Sequence, residues 1–132
     1  MTFLLDTSAM LLHYFREPGA ERVHSLLEDD ANQVLIASIC VTEMARRLLA
    51  MGQAVDDARS TSLSYASLAE RVVPVDTAVA VRAFELTSLS RPRLPLVDAL
   101  IAACACLSGA TLVHRDTHFR AIPQDLLTRI DL

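Results

Sequence analysis

Four carboxylates are the residues of this 132-residue chain with the clearest chemical potential. Asp6 stands in LLDTSAML, Glu43 in ASICVTEMARRLL, Asp98 in LPLVDALIAACACL and Asp116 in TLVHRDTHF. Carboxylates gathered at close range repel one another and take up protons unless a cation lies among them. Hard, oxygen-seeking Mg²⁺ or Mn²⁺, one ion or two, is the natural counter-charge. An ion of that kind polarises a phosphoryl oxygen and acidifies a bound water, so the four acids together imply metal-assisted hydrolysis of a phosphodiester. Each acid also has an ordinary alternative. Asp6, followed by Thr7 and Ser8, has the form of a helix cap. Glu43 is at helical spacing from Arg46 and Arg47, and Asp116 is a common loop residue. Asp98 is the hardest to set aside. Its flanks are apolar, and a carboxylate there is costly to bury unless it is paired, holds a metal or faces a helix dipole.

The elements that would position these acids alternate along the chain. Thr2 to Leu5, Val34 to Ala37, Val72 to Val75, Thr111 to His114 and Thr128 to Ile130 are short runs of Val, Leu, Ile and Thr between polar or Pro signals, as expected of buried strands. Helical patterns lie between them at Ala20 to Glu28, Ile39 to Met51, Ala54 to Arg71, Thr77 to Leu89 and Pro95 to Leu107. Ser38 is placed to cap the second of these, and Gly52 and Gly109 to stop the second and the last. Alternation with apolar strands predicts one α/β domain over 1–132, a three-layer sandwich around a central parallel five-stranded sheet. Ligands of such sheets bind beyond the carboxyl ends of the strands, near a topological switch point. All four acids fall on that rim.

Composition narrows the chemistry further. All 12 basic residues are arginine, so a P-loop lysine and Schiff-base catalysis are excluded. Three glycines cannot form a GxGxxG dinucleotide fingerprint. The net charge of −4 argues weakly against a passive nucleic-acid binder. Assigning four acids to a cation site leaves 12 acids against 12 arginines, which removes that objection. Asp6 interrupts the first apolar run, so no signal peptide is read, and the stretch Leu96 to Leu107 is too short to span a bilayer. The three cysteines read as buried thiols of a cytoplasmic protein with no membrane association.

In this order and spacing, LLDTSAML, the glutamate of VTEMARRL, LPLVDALIAACA and LVHRDTHF carry a resemblance over essentially the whole chain. The chain resembles the PIN-domain ribonucleases, and in size and layout it is similar to the VapC-type toxins of bacterial toxin–antitoxin modules. The resemblance implies a metal-dependent endoribonuclease in which Asp6, Glu43, Asp98 and Asp116 are the catalytic, metal-holding acids, Thr7 and Ser8 are auxiliary hydroxyls, and the products are a 5′-phosphate and a 3′-hydroxyl. It also implies a homodimer, an RNA substrate, and a VapB-type antitoxin whose tail occupies the active-site groove. The last motif departs from the family's Thr-x-Asp-x-Asp-Phe: His114 stands for Thr and His118 for the second Asp, so Asp116 is its only acid. Either histidine would shift a metal site toward Mn²⁺, or His118 is a surface residue beside the site that touches phosphate. Arg91, Arg93, Arg115 and Arg120 are candidates for RNA phosphate contacts, and Arg46 and Arg47 for antitoxin contacts.

Two other readings compete. A haloacid-dehalogenase-type phosphatase would need a second Asp where Ser8 stands, and that family, like the receiver domains, uses a lysine that this chain lacks. A catalytically silent PIN-like binding module is opposed by the retention of all four acids.

Overall fold

Strands this short and this apolar can satisfy their backbone groups only inside a sheet covered on both faces. The computed structural model describes residues 1–132 and shows such a sheet. Its strands are β1 (Thr2–Leu5), β2 (Gln33–Ala37), β3 (Arg71–Val73), β4 (Thr111–His114) and β5 (Arg129–Asp131), in the order β3-β2-β1-β4-β5. Every pairing is parallel. Leu4 of β1 lies opposite Leu35 of β2 and Leu112 of β4, and Leu5 opposite Ile36 and Val113, so the middle of the sheet is apolar on both faces. Helices α1 (Thr7–Tyr14), α2 (Ala20–Glu28), α3 (Ser38–Ala50), α4 (Val55–Leu68), α5 (Thr77–Leu89) and α6 (Leu96–Leu107) complete the three layers. A 3₁₀ turn, Thr117–Ala121, follows β4.

One hydrophobic cluster of 34 buried residues joins sheet and helices. Val23 of α2 is fully buried and Leu26 and Leu27 pack half-buried beside it, the face expected from their spacing. Helix α6 buries Ala99, Ile101, Ala102, Ala103, Cys104 and Ala105, whose small side chains let it lie close against the sheet. Its first turn reaches the carboxyl edge of the sheet. The chain starts at β1, moves outward through β2 and β3, and returns to fill the other side with β4 and β5. The switch point therefore lies between the carboxyl ends of β1 and β4, where strand order reverses and a crevice must open.

Three local expectations need correction. Ser38 does not cap α3: it is the first helical residue, and its hydroxyl accepts a hydrogen bond from Val75 N (3.2 Å), tying the loop after β3 to the start of α3. Helix α4 ends at Leu68 rather than Arg71, because Glu70 N donates to Val34 O (2.8 Å) and Arg71 joins β3 beside Leu35. Residues of good helix propensity were recruited by strand pairing there. β3 starts one residue earlier and ends two earlier than expected, and β5 is shifted by one, for the same reason, register with the neighbouring strand.

Leu4 has no exposed surface and sits at the centre of the sheet. Leu4→Ala is expected to lower unfolding free energy by about 2–5 kcal/mol in urea denaturation. A loss below about 1 kcal/mol would mean that this centre is less tightly packed than the structure shows.

Candidate active site at the carboxyl edge of the sheet

Asp6 follows β1 directly, and its backbone N continues the ladder by donating to Val113 O (3.1 Å). The next residues turn into α1, so the carboxylate has two duties. As N-cap it accepts from Ala9 N (2.8 Å), the capping expected from its sequence context. It also accepts from the Ser8 hydroxyl, which lies 2.7 and 2.8 Å from its two oxygens. Ser8 Oγ in turn accepts from Arg115 N (2.9 Å), binding the end of β1 to the loop after β4. Asp6 is 2% exposed. Capping and site membership are thus compatible: Oδ1 takes the Ala9 amide, and Oδ2, which meets only the Ser8 hydroxyl, keeps a further lone pair.

The loop after β4 brings the next groups. Asp116 caps the 3₁₀ turn by accepting from His118 N (2.9 Å). The turn returns the His118 imidazole over α6, where Nδ1 lies 2.9 Å from Asp98 Oδ2 and 3.1 Å from Asp116 Oδ1. Donor atoms of Asp98, Asp116 and His118 all lie within 4.8 Å of one another. Glu43 approaches from α3 and accepts from Thr7 Oγ1 (2.6 Å). Thr7 and Ser8, adjacent in sequence, therefore hold two different acids, Glu43 and Asp6. That division of labour is not legible from their order alone.

The charges act on one another. Burial pushes the Asp6 carboxyl up to about 7, against the hydrogen bonds from Ala9 and Ser8, and Asp116 raises it further. Burial also raises Asp98 to about 6; Asp116 and Glu43 add to the rise, while His118 opposes it. An acid cluster held in this way gains by taking up protons or a divalent cation. Its carboxylate oxygens are donors that Mg²⁺ and Mn²⁺ accept, so these residues fit such an ion.

His114 does not join them. It is fully buried, with Nδ1 2.9 Å from Asp116 O and its ring edge-on to Phe119, and burial lowers its pKa. β4 ends at His114, and Asp116 beyond it turns its carboxylate to cap the 3₁₀ turn. Among the four arginines proposed for RNA, Arg115 is paired with Glu17 and Arg120 with Asp131, whereas Arg91 reaches the Ser90 carbonyl (2.8 Å) and Arg93 is exposed. Nothing in the spacing of Glu17 or Asp131 announces these pairings. Likewise His13, unremarkable in sequence, contacts Tyr65 Oη (2.7 Å) and His24 (3.2 Å), linking α1, α2 and α4.

A doubly covered parallel sheet with acids gathered at its switch point defines a distinct class of α/β domain. The model of the PIN domain family matches residues 3–124, and the chain belongs to that family. Solved structures share the fold. VapBC2 from Rickettsia felis, solved with a DNA fragment from its promoter, aligns with a TM-score of 0.77 at 22% identity, covering 100% of this chain and 99% of that one. FitAcB from Neisseria gonorrhoeae gives 0.73 at 23%, over 99% and 97% of the two chains. VapC20 from Mycobacterium tuberculosis, described as a sarcin–ricin loop cleaving toxin, gives 0.70 at 20%, over 90% and 93%. A sequence comparison with curated proteins gives no match.

The raised Asp6 carboxyl sets a direction for stability. Its ordinary value is 3.8, so between about pH 4 and pH 7 the folded chain keeps a proton that the unfolded chain has released. The contribution of Asp6 therefore falls as pH rises through that window, by an amount on the order of a few kcal/mol. Metal-free wild type should lose stability relative to Asp6→Asn between pH 5 and pH 8 in paired thermal melts. Parallel profiles for the two proteins would contradict the buried carboxylate.

Proposed function

We propose that this protein is a metal-dependent endoribonuclease, the toxin of a VapBC-type toxin–antitoxin pair, acting in the cytoplasm as a single-domain chain that dimerises. The observation that carries this reading is the meeting of Asp98, Asp116 and His118 donor atoms within 4.8 Å, with Asp6 buried near enough to feel the Asp116 charge and Glu43 held by Thr7, at the switch point of a PIN-family sheet. The VapC-containing relatives of the same fold support the toxin assignment, and VapC20 supports RNA as the substrate class.

Asp6, Glu43, Asp98 and Asp116 would hold one or two Mg²⁺ or Mn²⁺ ions. Bound there, the cation supplies charge neutralisation at the phosphate and acidification of the attacking water. The protein's own groups set the geometry. Ser8 orients both oxygens of Asp6 and fixes the loop after β4; Thr7 orients Glu43. Arg91 and Arg93, exposed just before α6, are free to meet the RNA backbone with the bidentate contacts that guanidinium favours. Arg115 and Arg120 would exchange Glu17 and Asp131 for phosphate, a small cost for surface ion pairs. An antitoxin has a fitting place in the groove between α3 and α4, about 290 Å³, where Leu49, Val55 and Leu63 are exposed beside Arg46 and Arg59. No helix is long and apolar enough to cross a membrane.

Incubation with cellular RNA and Mg²⁺ or Mn²⁺ is expected to give cleavage with 5′-phosphate and 3′-hydroxyl ends, abolished by EDTA. Asp6→Asn and Asp98→Asn should each lower the rate at least about 100-fold, the scale of losing one charge-stabilising group. Cleavage that survives both substitutions, or that leaves cyclic phosphate ends, would remove the nuclease reading. Cleavage by neither wild type nor variants would favour the silent binding module.

A further inference from the structure

The motif after β4 departs from the family's pattern at the point nearest the acids: where a second aspartate is usual, this chain has His118. The substitution has not turned the side chain away. His118 N donates to Asp116 Oδ1, which locks the 3₁₀ turn, and the locked turn aims Nδ1 between Asp98 Oδ2 at 2.9 Å and Asp116 Oδ1 at 3.1 Å. One imidazole nitrogen is thus pointed at two carboxylates from different elements, α6 and the β4 loop. A proton on that nitrogen would lie between the two acids.

The spacing also suits a larger cation. Adjacent donors around an octahedral ion with bonds of about 2.1 Å are separated by about 3 Å. The two nitrogen–oxygen separations match that value. For ligation the ring must be neutral with its proton on Nε2, and the half-exposed ring leaves Nε2 able to donate to solvent. We propose that His118 is a nitrogen ligand of the active-site cation, joining Asp98 and Asp116, and that it makes the site select Mn²⁺ over Mg²⁺. This rests on the nuclease reading in one respect, that the same acids hold the ion. Mg²⁺ prefers a shell of oxygens and dehydrates reluctantly. Imidazole binds it poorly but suits ions later in the divalent series, so exchanging a carboxylate for a histidine moves the preference in that direction.

Binding by the full chain can be measured without any RNA. Free Mn²⁺ is followed by electron paramagnetic resonance, Mg²⁺ by competition, and ligand nitrogen by pulsed resonance on protein with ¹⁵N-labelled histidine. Wild type should show histidine-nitrogen coupling to bound Mn²⁺. His118→Ala should lose that coupling and bind Mn²⁺ at least about tenfold more weakly, with Mg²⁺ affinity changed less than about threefold. His118→Asp keeps a donor at the position and should lower the Mn²⁺ to Mg²⁺ preference by about tenfold. Melting curves of both variants establish that they fold. Mn²⁺ binding that is lost in Asp98→Asn yet shows no histidine coupling in wild type would overturn His118 as a ligand and leave the carboxylate site standing. Mn²⁺ binding indifferent to Asp98→Asn would overturn both. Unaltered affinities in His118→Ala would assign the ring to phosphate contact or to the surface, against the proposal.

Discussion

The arrangement depends on one buried charge. Asp6 is the first residue beyond the central strand, and β2 on one side and β4 on the other prevent that strand from moving. The polypeptide must turn there into α1, so the carboxylate is drawn inward to cap the helix and is nearly removed from water. A lone ionised group in that position is expensive. The hydrogen bonds from Ala9 and Ser8 offset part of the cost, and the remainder appears as a carboxyl raised to about 7. The fold therefore stores an affinity for positive charge at one point, and Asp98, Asp116 and Glu43 are brought to the same crevice by three other elements.

Topology explains why these elements meet. Strand order reverses between β1 and β4, so α3, leaving one side of the sheet, and the β4 loop, leaving the other, overlook the same gap. Helix α6 enters with its acid in the first turn, and its alanine-rich face lets it approach the sheet closely. Ser8 closes the arrangement by bonding to Asp6 after β1 and to Arg115 after β4.

Much of this was legible in the sequence because it is written in local signals. Apolar runs gave the strands, and an acid after each relevant run gave the rim. The flanks of Asp98 marked it as a carboxylate that needs a partner. What escaped the sequence was decided by pairing across long separations. Ser38 looked like a helix cap and serves Val75 instead; Arg71 looked helical and was taken by strand register. The two histidines of HRDTHF part because β4 ends at His114, which stays in the core, whereas the 3₁₀ turn beyond carries His118 onto the acids. The partners of Arg115 and Arg120, Glu17 and Asp131, are equally non-local.

On this reading the buried carboxyl at the end of β1 and its neighbours form one cation site. Anomalous diffraction from crystals grown with Mn²⁺ tests it most directly. A strong peak is expected in the crevice between Asp6, Asp98 and Asp116, absent from crystals of Asp98→Asn. A peak confined to other parts of the surface, or a crevice peak that persists in Asp98→Asn, would contradict it.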